Sequence, residues 1–186
     1  RSRLIFSKVV PWSTHLALKS HAQLFLDTPM YNAHGSGTDV LWAGVPMITL
    51  PLRKMASRVA ASLVTALGMG PQSVVESLAE YEERAVWLAT HPDELAAMRE
   101  QLLRARTSTS LFDTEFFWRN FERAQMLMWD QHVSSGGRRA HIVLAHQPYQ
   151  QSASFVQAIR DIMTRGSRAS RSSGSGAGRN DRHDEL

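Results

Sequence analysis

The feature that most constrains this chain is an alternation of strand-like and helix-like segments between residues 3 and 67. Residues 3–10 (RLIFSKVV) are mostly apolar and β-rich, and Pro11 ends the run. Ser13 or Thr14 supplies a hydroxyl suited to cap a short helix through about residue 22. Residues 23–27 (QLFLD) read as a second strand, and 36–43 as a helix stopped by Gly44. Residues 46–50 (PMITL) are almost continuously apolar, as a strand covered on both faces is. Over 53–67, Met55, Val59, Leu63 and Leu67 recur along one helical stripe, and Gly68 closes the segment. Short connections in a β–α–β–α–β–α order predict parallel strands joined by crossovers. The expected fold class is therefore α/β, a Rossmann-like parallel sheet with flanking helices.

Three more helices are predicted, over about 78–90, 93–106 and 114–131. Pro92 sits at the start of the middle one, where a missing N–H is harmless. The last carries Phe116, Phe117, Phe121, Leu127, Met128 and Trp129, which predicts a long amphipathic helix packed on the sheet. After His132 the composition changes. Residues 134–139 (SSGGRR) form a linker signature, and 142–163 hold enough apolar residues for one more helix. Residues 166–182 are rich in Arg, Ser and Gly and lack the apolar area that offsets ordering entropy. The expected organisation is a folded lobe over 1–132 and a mostly disordered tail over 133–186.

Charge separates these two parts. Residues 1–132 hold 13 Lys+Arg and 13 Asp+Glu, whereas 133–186 hold eight Arg and four acids. The whole net charge of +4 thus belongs to the tail and describes nothing about the folded part. The tail has only Tyr149 and Phe155 to stack on bases, so a nucleic-acid partner is not expected. The absence of cysteine excludes disulfides, thiolate metal sites and a Cys nucleophile. No run of about 18 apolar residues exists, so no membrane-spanning helix and no membrane partner are expected. The chain opens Arg1-Ser2-Arg3-Leu4, without an initiator Met or a secretory segment, and is expected to be a fragment.

The stretch that carries chemistry is His34-Gly35-Ser36-Gly37-Thr38-Asp39, after a strand and at the start of a helix. Glycines let the backbone approach an anion, and the first N–H groups of a helix point outward without partners. The helix dipole adds about half a positive charge there. Ser36 offers a hydroxyl donor and His34 an imidazole N–H. Asp39, one turn in, is an acceptor that suits the two O–H donors of a ribose diol. Taken alone, a Gly-rich strand-to-helix turn is equally compatible with a plain packing turn.

The longer stretch 26–62, LDTPMYNAHGSGTDVLWAGVPMITLPLRKMASRVAAS, is specific. It resembles the C-terminal catalytic region of protein O-GlcNAc transferases, whose pattern there is D-T-P-x-x-N-x-H-T-T-G-x-D-V-L-W-A-G-x-P-x-[IV]-T and then A-S-R-V-A-A-S. The matching residues are Asp27 to Pro29, Asn32, His34, Gly37, Asp39 to Gly44, Pro46, Thr49 and Ala56 to Ser62. The likeness continues through Ile5-Phe6-Ser7, Ser110-Leu111-Phe112 and Met128-Trp129, covering roughly 3–130. It implies the C-terminal lobe of a GT-B glycosyltransferase that takes UDP-GlcNAc and transfers GlcNAc to Ser or Thr of proteins, with inversion and without a metal or other cofactor. By the same match, His34, Gly35, Ser36 and Gly37 fall on the diphosphate segment and Asp39 on the ribose. Val10 falls where backbone atoms grip the uracil, and His15 on a His that packs on the uridine. The family's general base, its diphosphate-binding Lys and its substrate-selecting repeats lie upstream. No catalytic residue is expected here, and protein acceptors would be engaged through those upstream regions.

Three departures stand out. Gly35 replaces a Thr of the pattern, Trp12 a Lys beside the uracil and Leu18 an Arg. They keep open a degenerate binding module without chemistry. A related group, the SPINDLY-type protein O-fucosyltransferases, uses GDP-fucose with a G-T-T-T-T segment, and His34 with Asp39 favours the GlcNAc branch. The resemblance implies a cytoplasmic or nuclear location. The terminal His183-Asp184-Glu185-Leu186 is an ER-retrieval address if the chain enters the secretory pathway.

Overall fold

The computed structural model describes residues 3–6, 8–144 and 148–173, with residues 163 and 165–173 of the last helix as backbone only. The chain divides into two compact units, Arg1–Phe112 and Asp113–Leu186. In the first, helix α1 (Trp12–Lys19) precedes strand β1 (Phe25–Leu26), helix α2 (Gly35–Trp42) and strand β2 (Met47–Ile48). A 3-10 turn (Met55–Ser57) and helices α3 (Val59–Ala66), α4 (Gly70–Ser73), α5 (Leu78–Thr90) and α6 (Pro92–Ser108) follow, and a second 3-10 turn (Ser110–Phe112) ends the unit. The second unit contains α7 (Thr114–Ser134) and α8 (Ala153–Ser173).

β1 and β2 pair in parallel, with Phe25 opposite Met47 and Leu26 opposite Ile48. One further parallel bridge joins Thr49 to Val74, through Thr49 N–H to the Ser73 carbonyl at 2.9 Å and Val75 N–H to the Thr49 carbonyl at 3.1 Å. The β2 row is therefore central, which explains its continuous apolarity. Met47 and Ile48 are wholly buried among Val40 and Leu41 of α2, Ala60 and Val64 of α3, Leu88 of α5, and Met98 and Leu102 of α6. This is an α/β arrangement: a small parallel sheet flanked by helices.

Local sequence sets the ends of the helices. Gly44 takes φ 79° just past α2, a left-handed geometry that terminates the helix. Gly68 does the same after α3 at φ 70°. Ser77 caps α5 by accepting from Glu80 N–H at 3.1 Å, while Glu80 reaches back to Glu76 N–H at 2.9 Å. Pro92 occupies the first turn of α6.

Several expectations are overturned. The described residues of 3–10 form no strand, and Leu4, Ile5, Phe6 and Val9 are exposed. β1 pairs with β2 alone among the described residues, so this run has no neighbour to complete its ladder, and β-propensity without a partner does not make a strand. The predicted 53–67 helix is broken at Arg58, where φ is −130°, into the first 3-10 turn and α3. Its buried stripe is Ala60, Val64 and Leu67. Met55 is exposed, and Leu63 packs at the edge of the core. Helix α7 buries none of its residues. Phe116, Phe117 and Trp118 are consecutive, so their rings point about 100° apart around the helix. Phe117, Trp118 and Phe121 instead meet one another as an aromatic cluster on the helix surface. The last helix begins later than predicted and runs to Ser173, into the segment expected to be disordered. The rest of that segment, and His183–Leu186, lie outside the described residues.

Candidate functional site

The loop between β1 and α2 is held by two buried polar side chains. The Asp27 carboxylate accepts from Ala33 N–H and from the Thr49 hydroxyl, both at 2.7 Å. The Asp27 carbonyl accepts from the Tyr81 hydroxyl at 2.8 Å. Burial, and then the charge of Asp27, push the Tyr81 phenol up to about 12. Asn32 donates its amide to the Thr28 carbonyl at 3.0 Å and its backbone N–H to the Ala56 carbonyl at 2.8 Å, and accepts from Ala60 N–H at 3.4 Å. The D-T-P-x-x-N part of the motif is thus a latch that fixes where α2 begins. The two side chains that form it, Asp27 and Asn32, are both buried, while Thr28, Met30 and Tyr31 between them are exposed.

The latch delivers the start of α2 to the surface. Gly35 and Ser36 are exposed there, and the first N–H groups of the helix point outward. A Cβ on Gly35 would meet nothing within 4 Å, so the position is open above the backbone. Gly37 is different. It is buried, and a Cβ there would press on the Leu63 side chain at 3.2 Å and the Ala33 side chain at 3.3 Å. Gly37 lets α2 pack closely against Leu63 and Ala33 and lies beneath the exposed Gly35 and Ser36. The His34 ring stacks on Tyr31 with centroids 4.7 Å apart, and its Nε2 lies 3.3 Å from the Ala56 carbonyl. With Nε2–H donating to that carbonyl, neutral Nδ1 is an acceptor, so donation to a phosphate needs the imidazolium or a turned ring.

Helix α1 supplies the opposite wall. Trp12, Leu16 and Lys19 recur at i, i+4 and i+7 and lie on one face. Trp12 and Leu16 line a cleft of about 240 Å³ with Thr38, Asp39 and Trp42 of α2 and with Phe112. Trp42 and Phe112 meet edge to face at 5.0 Å, and the Arg106 guanidinium lies 5.3 Å from the Trp42 ring centroid. The far end of α1 is held by Arg99, which donates to the Ser20 and Ala22 carbonyls at 3.1 and 3.2 Å. Lys19 Nζ lies 3.2 Å from Asp39 Oδ2 and 3.3 Å from the Ser36 carbonyl.

Of the residues singled out from sequence, Asp39 lines the cleft, while Gly35, Ser36 and His34 gather at the adjoining end of α2. His15, exposed on α1, and Val10, just before it, are not among the cleft-lining residues. Sequence reasoning missed Lys19 and the latch residues. An i+7 relation to Trp12 signals Lys19, and the fixed D-T-P-x-x-N spacing signals the latch. A larger groove of about 480 Å³ between α5 and α6, lined by Gln72, Arg84, Trp87 and Arg104 among others, contains none of the motif residues. No group of three or more His, Asp or Glu side chains suited to a metal occurs among the described residues. Chemically, the cleft offers an aromatic wall for a planar ring, a carboxylate for a diol and a helix N-terminus for an anion.

Comparison with known proteins gives this arrangement a family. A probable UDP-N-acetylglucosamine–peptide N-acetylglucosaminyltransferase of Arabidopsis thaliana is 49% identical over 132 residues, which are 71% of this chain and 14% of that protein. The corresponding Caenorhabditis elegans enzyme is 42% identical over 133 residues, 72% of this chain and 12% of that protein. This chain therefore spans only a small share of the length of these relatives. A solved Thermobaculum terrenum O-GlcNAc transferase, in mutant form, superposes with a TM-score of 0.64 at 31% identity, covering 68% of this chain and 24% of that one. The α/β arrangement is accordingly part of a GT-B glycosyltransferase. The sequence profile of glycosyl transferase family 41 matches residues 1–121, and the chain belongs to that family.

Proposed function

We propose that residues 1–132 form the donor-binding portion of an inverting protein O-GlcNAc transferase, which holds UDP-GlcNAc for transfer to Ser or Thr of proteins. One observation carries the reading: Trp12 and Leu16 of α1 face Thr38, Asp39 and Trp42 of α2 across a single cleft, and Thr38 follows the exposed first turn of α2 directly. The base would lie against Trp12, with Val10 and His15 beside it. The ribose would meet Asp39, and the diphosphate would meet Gly35, Ser36 and a released His34, with Gly37 packed beneath. No metal or other cofactor is assigned. The names of the relatives, UDP-N-acetylglucosamine–peptide N-acetylglucosaminyltransferases, support this donor and a protein acceptor.

Holding a donor does not itself lower the barrier to transfer. The cleft presents no assigned general base, and we propose that this chain alone does not transfer GlcNAc to a peptide. Product above a no-enzyme blank would contradict that. No helix among the described residues is long and apolar enough to cross a membrane. A cytoplasmic or nuclear location follows from the proposed activity. Retention of a secreted reporter fused to residues 133–186 would show that the terminal HDEL is usable.

The experiment for the donor site is calorimetric titration of the folded chain with UDP and with GDP, beside Asp39→Ala. Selective UDP binding that weakens in the variant supports the proposal, and selective GDP binding favours a GDP-fucose relative. Binding of neither favours a degenerate module. The specific observation on that side is the engagement of Asp39 by Lys19 and of His34 by Ala56.

A further inference from the structure

We infer that Lys19 is an additional diphosphate-binding cation of this cleft, beside the Lys that the resemblance places upstream, and that it trades Asp39 for the nucleotide when a donor enters; the inference rests on the donor-site reading above. The residues lining the cleft include one ionisable side chain, Asp39, and no basic one. Trp12 and Leu18 stand where the resemblance places a Lys beside the uracil and an Arg, so neither position brings a cation to this side of the cleft. A dianionic diphosphate approaching an unpaired carboxylate would be repelled.

Lys19 corrects that balance from the next turn of α1. Its ammonium touches Asp39 Oδ2 at 3.2 Å and the Ser36 carbonyl at 3.3 Å. It therefore sits at the first turn of α2, where the exposed N–H groups await an anion. Its side chain is 15% exposed and that of Asp39 is 27%, so the ammonium is held in place by its surroundings and is not free in solvent.

The exchange keeps every polar group satisfied. An ammonium has three donors and no acceptor, and two of the three are directed at Asp39 and Ser36. A diphosphate oxygen is an acceptor, and the ribose diol brings two donors. When the diol takes Asp39, the Lys19 donor it displaces turns to phosphate while the Ser36 contact remains. A merely structural ion pair tying α1 to α2 would leave phosphate recognition to the helix terminus alone.

The test is calorimetry on the full chain with UDP and with uridine, at low and high salt, for the native protein, Lys19→Met and Lys19→Arg. A charge-assisted contact to phosphate predicts that Lys19→Met loses about ten- to a hundredfold in UDP affinity, while uridine affinity stays the same or rises because Asp39 no longer has to be released. The salt dependence of UDP binding should flatten in Lys19→Met, and Lys19→Arg should retain most of the affinity. Equal loss of UDP and uridine, or no loss of UDP, would overturn the role of Lys19 while leaving the donor site standing. If Lys19→Met does not fold, the native chain still decides. UDP must bind at least about tenfold tighter than uridine and weaken with salt, and an equal affinity for the two overturns the inference. A folded native chain that binds neither ligand overturns this inference and the donor-site reading together.

Discussion

The Thr49 hydroxyl donates to the Asp27 carboxylate at 2.7 Å, joining the residues that immediately follow β2 and β1. Both residues are buried, and the other Asp27 oxygen holds the backbone of Ala33, one residue before His34 and the start of α2. The sheet and the motif loop are therefore fixed by one carboxylate. Thr49→Val removes one hydrogen bond and should destabilise the chain by about 1–3 kcal/mol. Asp27→Ala orphans both the Thr49 hydroxyl and Ala33 N–H, and should cost about 2–4 kcal/mol. Urea unfolding midpoints measure both, and an Asp27→Ala chain as stable as the native one would contradict the latch.

Gly44 and Gly68 both take positive φ, but their surroundings differ. A Cβ on Gly44 would lie 2.6 Å from Leu103 Cδ2, whereas one on Gly68 meets nothing within 4 Å. Gly68→Ala should cost about 1–2 kcal/mol from backbone strain alone. Gly44→Ala should cost more, because α6 must also give way. Thermal melts of the two variants test the order.

Gly35 departs from the family pattern without needing to be glycine. Its backbone is not left-handed, and a Cβ there has open space. Gly35→Thr should therefore fold as well as the native chain. It also adds a hydroxyl donor at the proposed diphosphate site, with UDP affinity rising by about three- to tenfold, the worth of one hydrogen bond. Weaker UDP binding in a well-folded Gly35→Thr chain would place the phosphate elsewhere.

The pH dependence of the second unit follows from Asp113. Its burial favours the neutral acid, but donation from the Ser152 hydroxyl and backbone, Phe116 N–H and the Tyr149 hydroxyl outweighs burial and lowers its pKa below 3.8. A lowered folded pKa gives stability that is present above the unfolded value and is lost as pH falls through the folded one. Acid melts should thus show α7 weakening from about pH 4 downward, with the slope reduced in Asp113→Asn. At the alkaline end, Tyr81 and Tyr149 are each raised from 10.0 to about 12. The stability they contribute is present below pH 10.0 and is lost as pH rises toward about 12. Phenolate absorbance should show both rings ionising late, and a step near 10 for either in the folded chain would contradict their environments.

The α/β alternation, the start of α2 and the buried character of β2 were legible because apolar runs, Gly44 and the motif spacing report local physics. The family was legible because 26–62 fixes many identities at once. What failed depended on partners. The run at 3–10 has the composition of a strand but no ladder to join. Phe117, Trp118 and Phe121 of α7 pack on one another at the helix surface, which an apolar count does not foresee. Lys19 was missed because its meaning comes only from α1 lying against α2. Gly37 was legible as a glycine that matters, while its packing against Leu63 and Ala33 was not.

The central claim is that a uridine nucleotide enters the cleft between α1 and α2. Amide and indole chemical-shift mapping of the full chain during UDP titration tests it most directly. The account predicts saturable shifts at the Trp12 indole, Leu16, Gly35, Ser36, Thr38 and Asp39. Shifts confined to the groove around Arg84, Trp87 and Arg104, or none at all in a folded chain, would contradict it.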